Sequence, residues 1–200
     1  RVVAEAGFAH TALQFAVARG WGVAEGKPTL DRLRLEFPRA YWPQVQALAK
    51  ETGVDPYLIL AVAKQESTFR AGIQSSAGAT GVMQLMPGTA AWLAKVEDNI
   101  TEAHVSDLKS PENSIRLGAY YLMRMVDRSN QNLIFATASY NAGPGNNEKW
   151  RKRFGGYAVD EFIEAIPYEE TKGYVKKVLG NYAAYRTLYP ESKQVAQATE

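Results

Sequence analysis

A glutamate on the apolar side of a predicted helix is the residue in this sequence whose type and position best suit acid–base chemistry. Asp55 followed by Pro56 is typical of a helix start, because aspartate caps the first N–H groups and proline is tolerated in the first turn. Glu66 lies four residues after Val62 and seven after Ile59, which places it on their apolar stripe. Burial disfavours an ionised carboxylate and raises its pKa, as a general acid working near neutral pH requires. Glu66 is therefore the candidate catalytic residue.

Two features of the neighbouring sequence bear on Glu66, and one competing interpretation of this residue stays open. Lys64 points away from the stripe, and we expect it to be solvated. A glycine-rich loop at residues 72–81 follows the helix and would let the backbone approach a ligand closely. Alternatively, Glu66 is a helix-terminal carboxylate that reaches water or pairs with Arg70, which is the common arrangement for a charge on an apolar stripe.

Four short motifs carry a resemblance to a known enzyme family. They are QESTF at 65–69, GATGVMQLMP at 78–87, SYNAGPG at 139–145 and IPYEETKGYV at 166–175. The first two look like the E-S-x-F and G-x-M-Q-x-M-P motifs of lytic transglycosylases, and the other two follow in the family's order. Over roughly residues 30 to 190 the chain is similar to the C-terminal part of the soluble members of that family. Ser139 stands where alanine is common in the family, a small departure that leaves the site undamaged.

The resemblance implies an all-α, goose-type lysozyme-like catalytic domain over residues 37–190. It also implies that residues 1–36 are the end of a non-catalytic superhelical region and that residues 191–200 form a tail. Because Arg1 lies in what looks like the middle of a helix, we expect the protein to continue upstream.

Hydrophobic spacing agrees with a helical fold, since no segment shows the two-residue alternation of strands, although a small hairpin of the lysozyme-like type could escape notice. The predicted helices cover residues 45–51, 55–68, 133–140, 161–166 and 174–188, with further helices starting at 87 and 110 and a loop at 96–110.

The same resemblance implies which residues bind the sugar. The predicted substrate-binding residues are Ser75, Gly81, Gln84, Met86, Tyr140, Asn141, Glu170 and Tyr174. Glu170 would bind saccharide through polar contacts rather than attack it. Tyr140 would lie near the acid, where its hydroxyl could hydrogen-bond the carboxyl or its ring could stack on a sugar. Structural roles remain open beside these, namely core packing for the methionines of the second motif and a helix C-cap for Asn141.

The resemblance also implies an activity on peptidoglycan strands. Glu66 would protonate the glycosidic oxygen between N-acetylmuramic acid and N-acetylglucosamine. As a base it would then take the proton of the muramyl C6 hydroxyl, so that a 1,6-anhydro ring closes. Most glycosidases need two carboxyl groups, so a site with one suitable carboxyl favours a reaction in which the same residue acts first as acid and then as base. Two alternatives stay open: a lysozyme-type hydrolase of the same fold, and a non-catalytic module that binds peptidoglycan.

Composition and charge argue against several other classes of protein. The sequence is 46% hydrophobic and 22% charged, as in ordinary globular proteins, and its net charge of +2 is far below that of a dedicated nucleic-acid binder. Cysteine is absent, and His10 and His104 lie far apart without nearby acidic spacing, so we expect no thiol nucleophile, zinc site or cofactor. No apolar run is long enough to span a membrane. We expect a monomer in the bacterial periplasm, where the implied substrate lies.

Overall fold

The computed structural model describes residues 29–190, and the regular secondary structure of this range is helical. The helices are α1 (Leu30–Glu36), α2 (Trp42–Thr52), α3 (Pro56–Ser67), α4 (Pro87–Val96), α5 (Glu102–Ser106), α6 (Pro111–Arg128), α7 (Leu133–Ala142), α8 (Pro144–Phe154), α9 (Val159–Ala165) and α10 (Glu169–Leu188). The predicted all-α class is confirmed. Within the same residues, none of the helices is long and apolar enough to cross a bilayer. The predictions for residues 1–28 and for the tail at 191–200 lie outside the described residues.

Two helices occupy segments for which the sequence predicted none. Helix α5 lies inside the expected loop at 96–110, and α8 follows directly on α7. Gly143 allows the second of these, because its φ of 82° ends α7 after Ala142 and Pro144 then starts α8 in the first turn. The cap of α7 is therefore Gly143 rather than Asn141, since glycine adopts positive φ without steric cost.

Helix α3 runs through the centre of the core and is buried on every side, so the expectation of one apolar stripe is wrong. Asp55 caps it as predicted, and its Oδ1 accepts a hydrogen bond from the backbone N–H of Tyr57 at 2.8 Å. All seven residues at 57–63 are buried, and helices α2, α6 and α10 pack around them. A helix that is hydrophobic all round belongs in the interior. Glu66 is partly buried because it lies in the last turn of α3, where the helix leaves the core.

A stack of aromatic rings fixes α10 and the segment before α2 against α3. The ring of Tyr57 stacks on Trp42 at 5.4 Å and on Tyr185 at 5.9 Å, while Phe37 meets Tyr185 edge-on at 5.5 Å. The Tyr185 hydroxyl also donates to the carbonyl of Pro38 at 2.9 Å. Aromatic pairs of this kind add about 0.5–1.5 kcal/mol each beyond the area that they bury. Phe37 and Pro38 thus pack against the same core as α3 and α10.

A second, smaller cluster joins the helices of the C-terminal half. It consists of Ala138 of α7, Trp150 of α8, Phe162 of α9, Ile166 in the following turn and Val175 of α10. These residues are all buried, so the cluster packs α7, α8 and α9 against the N-terminal half of α10.

The segment 68–86 between α3 and α4 is a folded loop that contains two isolated antiparallel bridges and, within the described residues, no strand. Hydrogen bonds tie its second half to two helices. Ser67 Oγ of α3 donates to the carbonyl of Val82 at 2.8 Å. Ser114 Oγ of α6 accepts from the backbone N–H of Met83 at 3.0 Å. The loop is therefore held close to the end of α3.

Gly81 in this loop cannot carry a side chain without disturbing its neighbours. Its φ is +83°, which L-residues rarely adopt, and an added Cβ would overlap the carbonyl of Leu108 and lie 2.5 Å from Ser114 Oγ. We expect Gly81→Ala to lower the free energy of unfolding by about 2–4 kcal/mol, because backbone strain and overpacking combine. Urea unfolding at neutral pH measures this difference.

Gly78→Ala is the matched control, because Gly78 has a φ of +92° but no neighbouring atom within 4 Å of an added Cβ. It should lose only the backbone contribution, about 1–2 kcal/mol. Equal losses in the two variants would mean that the contacts with Leu108 and Ser114 do not restrict Gly81.

Candidate active site

Glu66 lies in the last turn of α3, where the helix leaves the core. Ser67 is the last helical residue, and Thr68 caps the helix in a left-handed conformation with φ 53°. The Glu66 side chain is partly buried, and its Oε1 accepts a hydrogen bond from the Tyr174 hydroxyl of α10 at 2.7 Å. Within residues 29–190, Glu66 forms no ion pair, and Arg70 is exposed. The alternative pairing of Glu66 with Arg70 is therefore not formed.

The surroundings of Glu66 hold its carboxyl close to neutrality. Burial raises the pKa of Glu66 to about 7. The hydrogen bond from Tyr174 opposes this rise because it favours the ionised form, whereas the negative charge of Glu170 adds to it. A carboxyl with such a pKa is about half protonated at neutral pH, so it can give or accept a proton.

Tyr140 does not make the hydrogen bond to the acid that was one of the two roles considered for it, the other being stacking on a sugar ring. Its hydroxyl donates to the carbonyl of Met83 at 3.0 Å, and only 7% of the residue is exposed. Burial raises the pKa of Tyr140 well above its usual value, and the nearby charge of Glu66 raises it further. Tyr140 thus lies beside the acid and holds the loop, while Tyr174 makes the direct hydrogen bond.

Lys64 is not the solvated charge that the sequence suggested. Its side chain is partly buried, and Nζ lies 4.6 Å from the ring centroid of Phe37. Burial lowers the pKa of Lys64, although the charge of Glu36 opposes the change. The difference arises because the segment before α2 covers the face of α3 that a lone helix would expose to water.

The loop residues predicted to bind substrate occupy different depths. Gln84 has a φ of 47°, and its Nε2 donates to the carbonyls of Gly81 at 2.8 Å and Ile73 at 3.3 Å. Its Oε1 has no hydrogen-bond partner among the described residues, so it remains available to a ligand. Met86 is 45% exposed. Gly81 itself is buried, which argues against a direct contact with a ligand.

Asn141 connects the end of α7 to the first turn of α10. Its Oδ1 accepts a hydrogen bond from Thr171 Oγ1 at 2.6 Å. This bond fixes the turn that carries Glu170. Glu170 is exposed and lies one helical turn before Tyr174. Ser75 is exposed, and its Oγ accepts from the backbone N–H of Ala79 at 3.0 Å within its own loop.

The structure thus brings part of the predicted set together around the acid. Hydrogen bonding or electrostatic interaction links Glu66 to Tyr174, Tyr140 and Glu170. No hydrogen bond or ion pair within residues 29–190 joins Ser75 or Met86 to Glu66.

The sequence analysis missed two residues that support this arrangement. The ring of Tyr121 lies 5.1 Å from that of Tyr140, and Thr171 makes the bond to Asn141 described above. Tyr121 carries the same signal as any apolar residue of a long core helix, so its position beside the site could not be read from spacing. Thr171 lies inside the fourth motif, which was the one available signal for it.

No group of three or more His, Cys, Asp or Glu residues within 29–190 is arranged to hold a metal ion. His104 has a structural role, because its Nδ1 accepts from the backbone N–H of Thr101 at 3.0 Å at the start of α5. His10 lies outside the described residues.

Removing the hydroxyl of Tyr174 should raise the pKa of Glu66 above about 7. The reason is that Tyr174→Phe deletes the donor that stabilises the ionised carboxylate. A hydrogen bond to a charged group is worth about 1.5–3 kcal/mol, so the rise should be about one unit or more. NMR titration of protein with ¹³C-labelled glutamate side chains measures the midpoint. Tyr140→Phe is the control, since the Tyr140 hydroxyl bonds to the carbonyl of Met83. If Tyr140→Phe changed the pKa of Glu66 more than Tyr174→Phe does, Tyr174 would not be the donor that stabilises the carboxylate.

The raised pKa of Glu66 also makes protein stability depend on pH. The folded protein binds this proton more tightly than the unfolded chain, whose carboxyl keeps its ordinary value of 4.5. The contribution of Glu66 to stability therefore falls as the pH rises from 4.5 to about 7. We expect Glu66→Gln to gain about 3 kcal/mol in stability relative to wild type between about pH 4 and about pH 8.

Urea unfolding across this pH range measures the gain of Glu66→Gln. Glu169→Gln is its control, because the Glu169 side chain is 83% exposed and its pairing with Lys172 should matter little. A constant difference between Glu66→Gln and wild type at all pH values would mean that the carboxyl is not held near neutrality.

Comparison with known proteins places this chain in a family. The Transglycosylase SLT domain family matches residues 43–163. The soluble lytic murein transglycosylase of Escherichia coli K12 is 36% identical over 172 residues, which cover 85% of this chain and 26% of that protein. The putative soluble lytic murein transglycosylase of Haemophilus influenzae is 35% identical over 173 residues, with shares of 86% and 28%. The chain spans about a quarter of the length of these curated relatives.

Solved structures agree with this assignment. The 70 kDa soluble lytic transglycosylase of Escherichia coli superposes with a TM-score of 0.82 at 32% identity, over 94% of this chain and 29% of that chain. The lytic transglycosylase Slt of Pseudomonas aeruginosa, solved as an inactive variant in which a glutamate is replaced by glutamine, gives a TM-score of 0.74 at 34% identity, over 90% and 30%. The predicted lysozyme-like fold is thereby confirmed. The chain belongs to the Transglycosylase SLT domain family.

Proposed function

We propose that this chain is the catalytic part of a lytic transglycosylase that acts on peptidoglycan. The bond cleaved is the β-1,4 linkage between N-acetylmuramic acid and N-acetylglucosamine, and the product carries a 1,6-anhydro ring. The observation that carries the proposal is the carboxyl of Glu66, which is partly buried, hydrogen-bonded to Tyr174 and has a pKa of about 7. Membership of the family and the names of its relatives, which are lytic murein transglycosylases, support the same activity.

The first step of the proposed reaction is protonation of the leaving group. Glu66 donates its proton to the glycosidic oxygen while the bond from that oxygen to the anomeric carbon of the muramyl residue breaks. The acetamido carbonyl of the substrate stabilises the charge that develops at the anomeric carbon. This assistance from the substrate removes the need for a second catalytic carboxylate, as in other substrate-assisted glycosidases.

The second step returns the proton to the same residue. Glu66, now ionised, takes the proton from the muramyl C6 hydroxyl, and the C6 oxygen forms a bond to the anomeric carbon. No water is consumed, and the enzyme ends the cycle protonated as it began. A pKa of about 7 suits both steps, because the carboxyl must be a usable acid in one and a usable base in the other.

Tyr174 and Glu170 set the balance between these two roles. The hydroxyl of Tyr174 stabilises the carboxylate that exists between the steps, and the charge of Glu170 stabilises the acid that exists before them. In this proposal Tyr174 is a positioning residue, and Glu170 also offers an exposed carboxylate to sugar hydroxyl or amide groups.

Further contacts with the glycan come from the loop before α4. The free Oε1 of Gln84 can accept a hydrogen bond from a hydroxyl or acetamido N–H group, and the exposed side chain of Met86 can cover an apolar sugar face. A peptidoglycan substrate supports a location in the bacterial cell envelope, and we propose that this location is the periplasm. We also propose that the protein is a monomer.

Replacement of the acid gives the decisive experiment. We expect Glu66→Gln to lower the turnover of purified sacculi at least about 1,000-fold, because the amide can neither donate nor accept the transferred proton. Mass spectrometry of the released muropeptides should find anhydro products with wild type. The wild-type rate should fall as the pH rises above about 7, where the acid is lost.

Glu169→Gln is the matched control, since it removes an exposed carboxylate three residues from Lys172 and should leave the rate within about twofold. Products that each contain one more water would identify a hydrolase instead. A wild-type protein that binds sacculi but releases nothing would identify a non-catalytic binding module.

A further inference from the structure

Three aromatic rings lead from the candidate acid to the exposed surface of α4. The ring of Tyr140 lies 5.1 Å from that of Tyr121, centroid to centroid, and Tyr121 meets Trp92 edge-on at 6.5 Å. Burial raises the pKa of Tyr140, and its interactions with Glu66 and then with Tyr121 add to the rise, so both groups lie close to it. Tyr140, Tyr121 and Trp92 therefore form an aromatic row that begins beside Glu66.

Exposure to solvent increases along the aromatic row. Tyr140 is 7% exposed, Tyr121 is partly buried, and Trp92 is 38% exposed. Contact between water and the indole ring costs hydrophobic free energy, which a ligand lying on the ring would recover. The aromatic row thus ends at a ring that a ligand can contact.

Polar groups follow the aromatic row one helical turn further along both helices. Arg124 lies three residues after Tyr121 on α6, and its Nη2 donates to the carbonyl of Val96 at 2.9 Å. Its Nε also donates to the carboxylate of Glu97, at the end of α4. Helices α4 and α6 therefore stay side by side beyond Trp92, and the contact between them carries groups that can bind hydroxyls.

The exposed apolar surface at Trp92 is narrow. Val96, one turn later on α4, is the other large apolar residue of this helix that is exposed, and the exposed Lys95 precedes it. A stable protein interface buries about 800 Å² on each partner, which is far more than two side chains offer. One sugar ring is close in size to one indole ring, so a glycan suits this surface better than a protein does.

We propose that Trp92 is the platform of a further sugar subsite, on which one ring of the peptidoglycan strand stacks while another part of the same strand lies at Glu66. The C–H groups of a β-linked pyranose form an apolar face that matches the flat indole ring. Arg124 and Glu97 lie where they can bind hydroxyl groups at the edge of that sugar. Trp92 lies outside the four motifs, so the resemblance to the family gives it no role. The inference rests on the proposed function, because the occupant is the same glycan strand.

Binding of peptide-free glycans to Glu66→Gln tests the subsite without requiring turnover. The probes are a disaccharide and an octasaccharide of alternating N-acetylglucosamine and N-acetylmuramic acid, titrated by calorimetry. The octasaccharide should bind at least about tenfold more tightly, because it can occupy the site at Glu66 and the indole of Trp92 together. Adding Trp92→Ala should weaken the octasaccharide at least about fivefold and the disaccharide less than about twofold.

Further variants separate stacking from bulk and from exposure. Trp92→Leu keeps apolar volume without a flat face and should weaken the octasaccharide as Trp92→Ala does, whereas Trp92→Phe keeps a ring and should stay within about threefold of the parent. Tyr157→Ala is the matched control, because Tyr157 is an exposed aromatic residue that packs on Phe154 instead of on the aromatic row. It should change neither affinity. Thermal unfolding checks that each variant is folded, and Trp92→Leu carries the test if Trp92→Ala does not fold.

The subsite is ruled out if the Trp92 variants bind the octasaccharide as tightly as the parent, if they lose affinity for both probes equally, or if Tyr157→Ala causes the same loss. Any of these results leaves the proposed function standing, because anhydro products released from sacculi by wild type test that function separately. If the parent binds neither probe, the glycan site proposed at Glu66 fails and the subsite fails with it.

Discussion

The hydrogen bond between the Tyr174 hydroxyl and the partly buried carboxyl of Glu66 is the interaction on which the rest of the site depends. Burial raises the pKa of Glu66, the phenol lowers it, and the balance lies at about 7. Helix α3 supplies the carboxyl and α10 supplies the phenol, from positions 108 residues apart in the chain. The packing of α10 on α3 is therefore what places the phenol against the carboxyl and helps to set its pKa near neutrality.

Several modest contacts between distant segments hold this arrangement in place. The stack of Tyr57 on Tyr185 sets α10 against α3, and the bond from Asn141 to Thr171 sets α7 against the first turn of α10. Tyr140 fixes the loop through the carbonyl of Met83. A neutral hydrogen bond is worth about 0.5–1.5 kcal/mol, so no one of them dominates. Together they hold the partly buried carboxyl of Glu66 in place beside the core.

Local signals in the sequence predicted most of the helices because caps and hydrophobic periodicity depend on neighbouring residues. Asp55 with Pro56 and Ser110 with Pro111 both start helices as expected. Helix α8 escaped prediction because it is polar and its proline and glycines suggested a turn, whereas the burial of Trp150 against α7 and α9 supports it in the folded protein. These failures come from tertiary contacts that override local preference.

The sequence by itself determined the fold class, the candidate acid on which the proposed function rests and the motifs that surround it, since these depend on residue type, order and spacing along the chain. Only the tertiary structure decided that Tyr174, rather than Tyr140, bonds to Glu66, that Lys64 is covered, and that α3 is buried on every side. The physical reason is that a hydrogen bond forms only over a distance of about 3 Å. Which of two tyrosines meets that distance depends on how helices far apart in the chain pack together, and spacing along the chain does not record that packing.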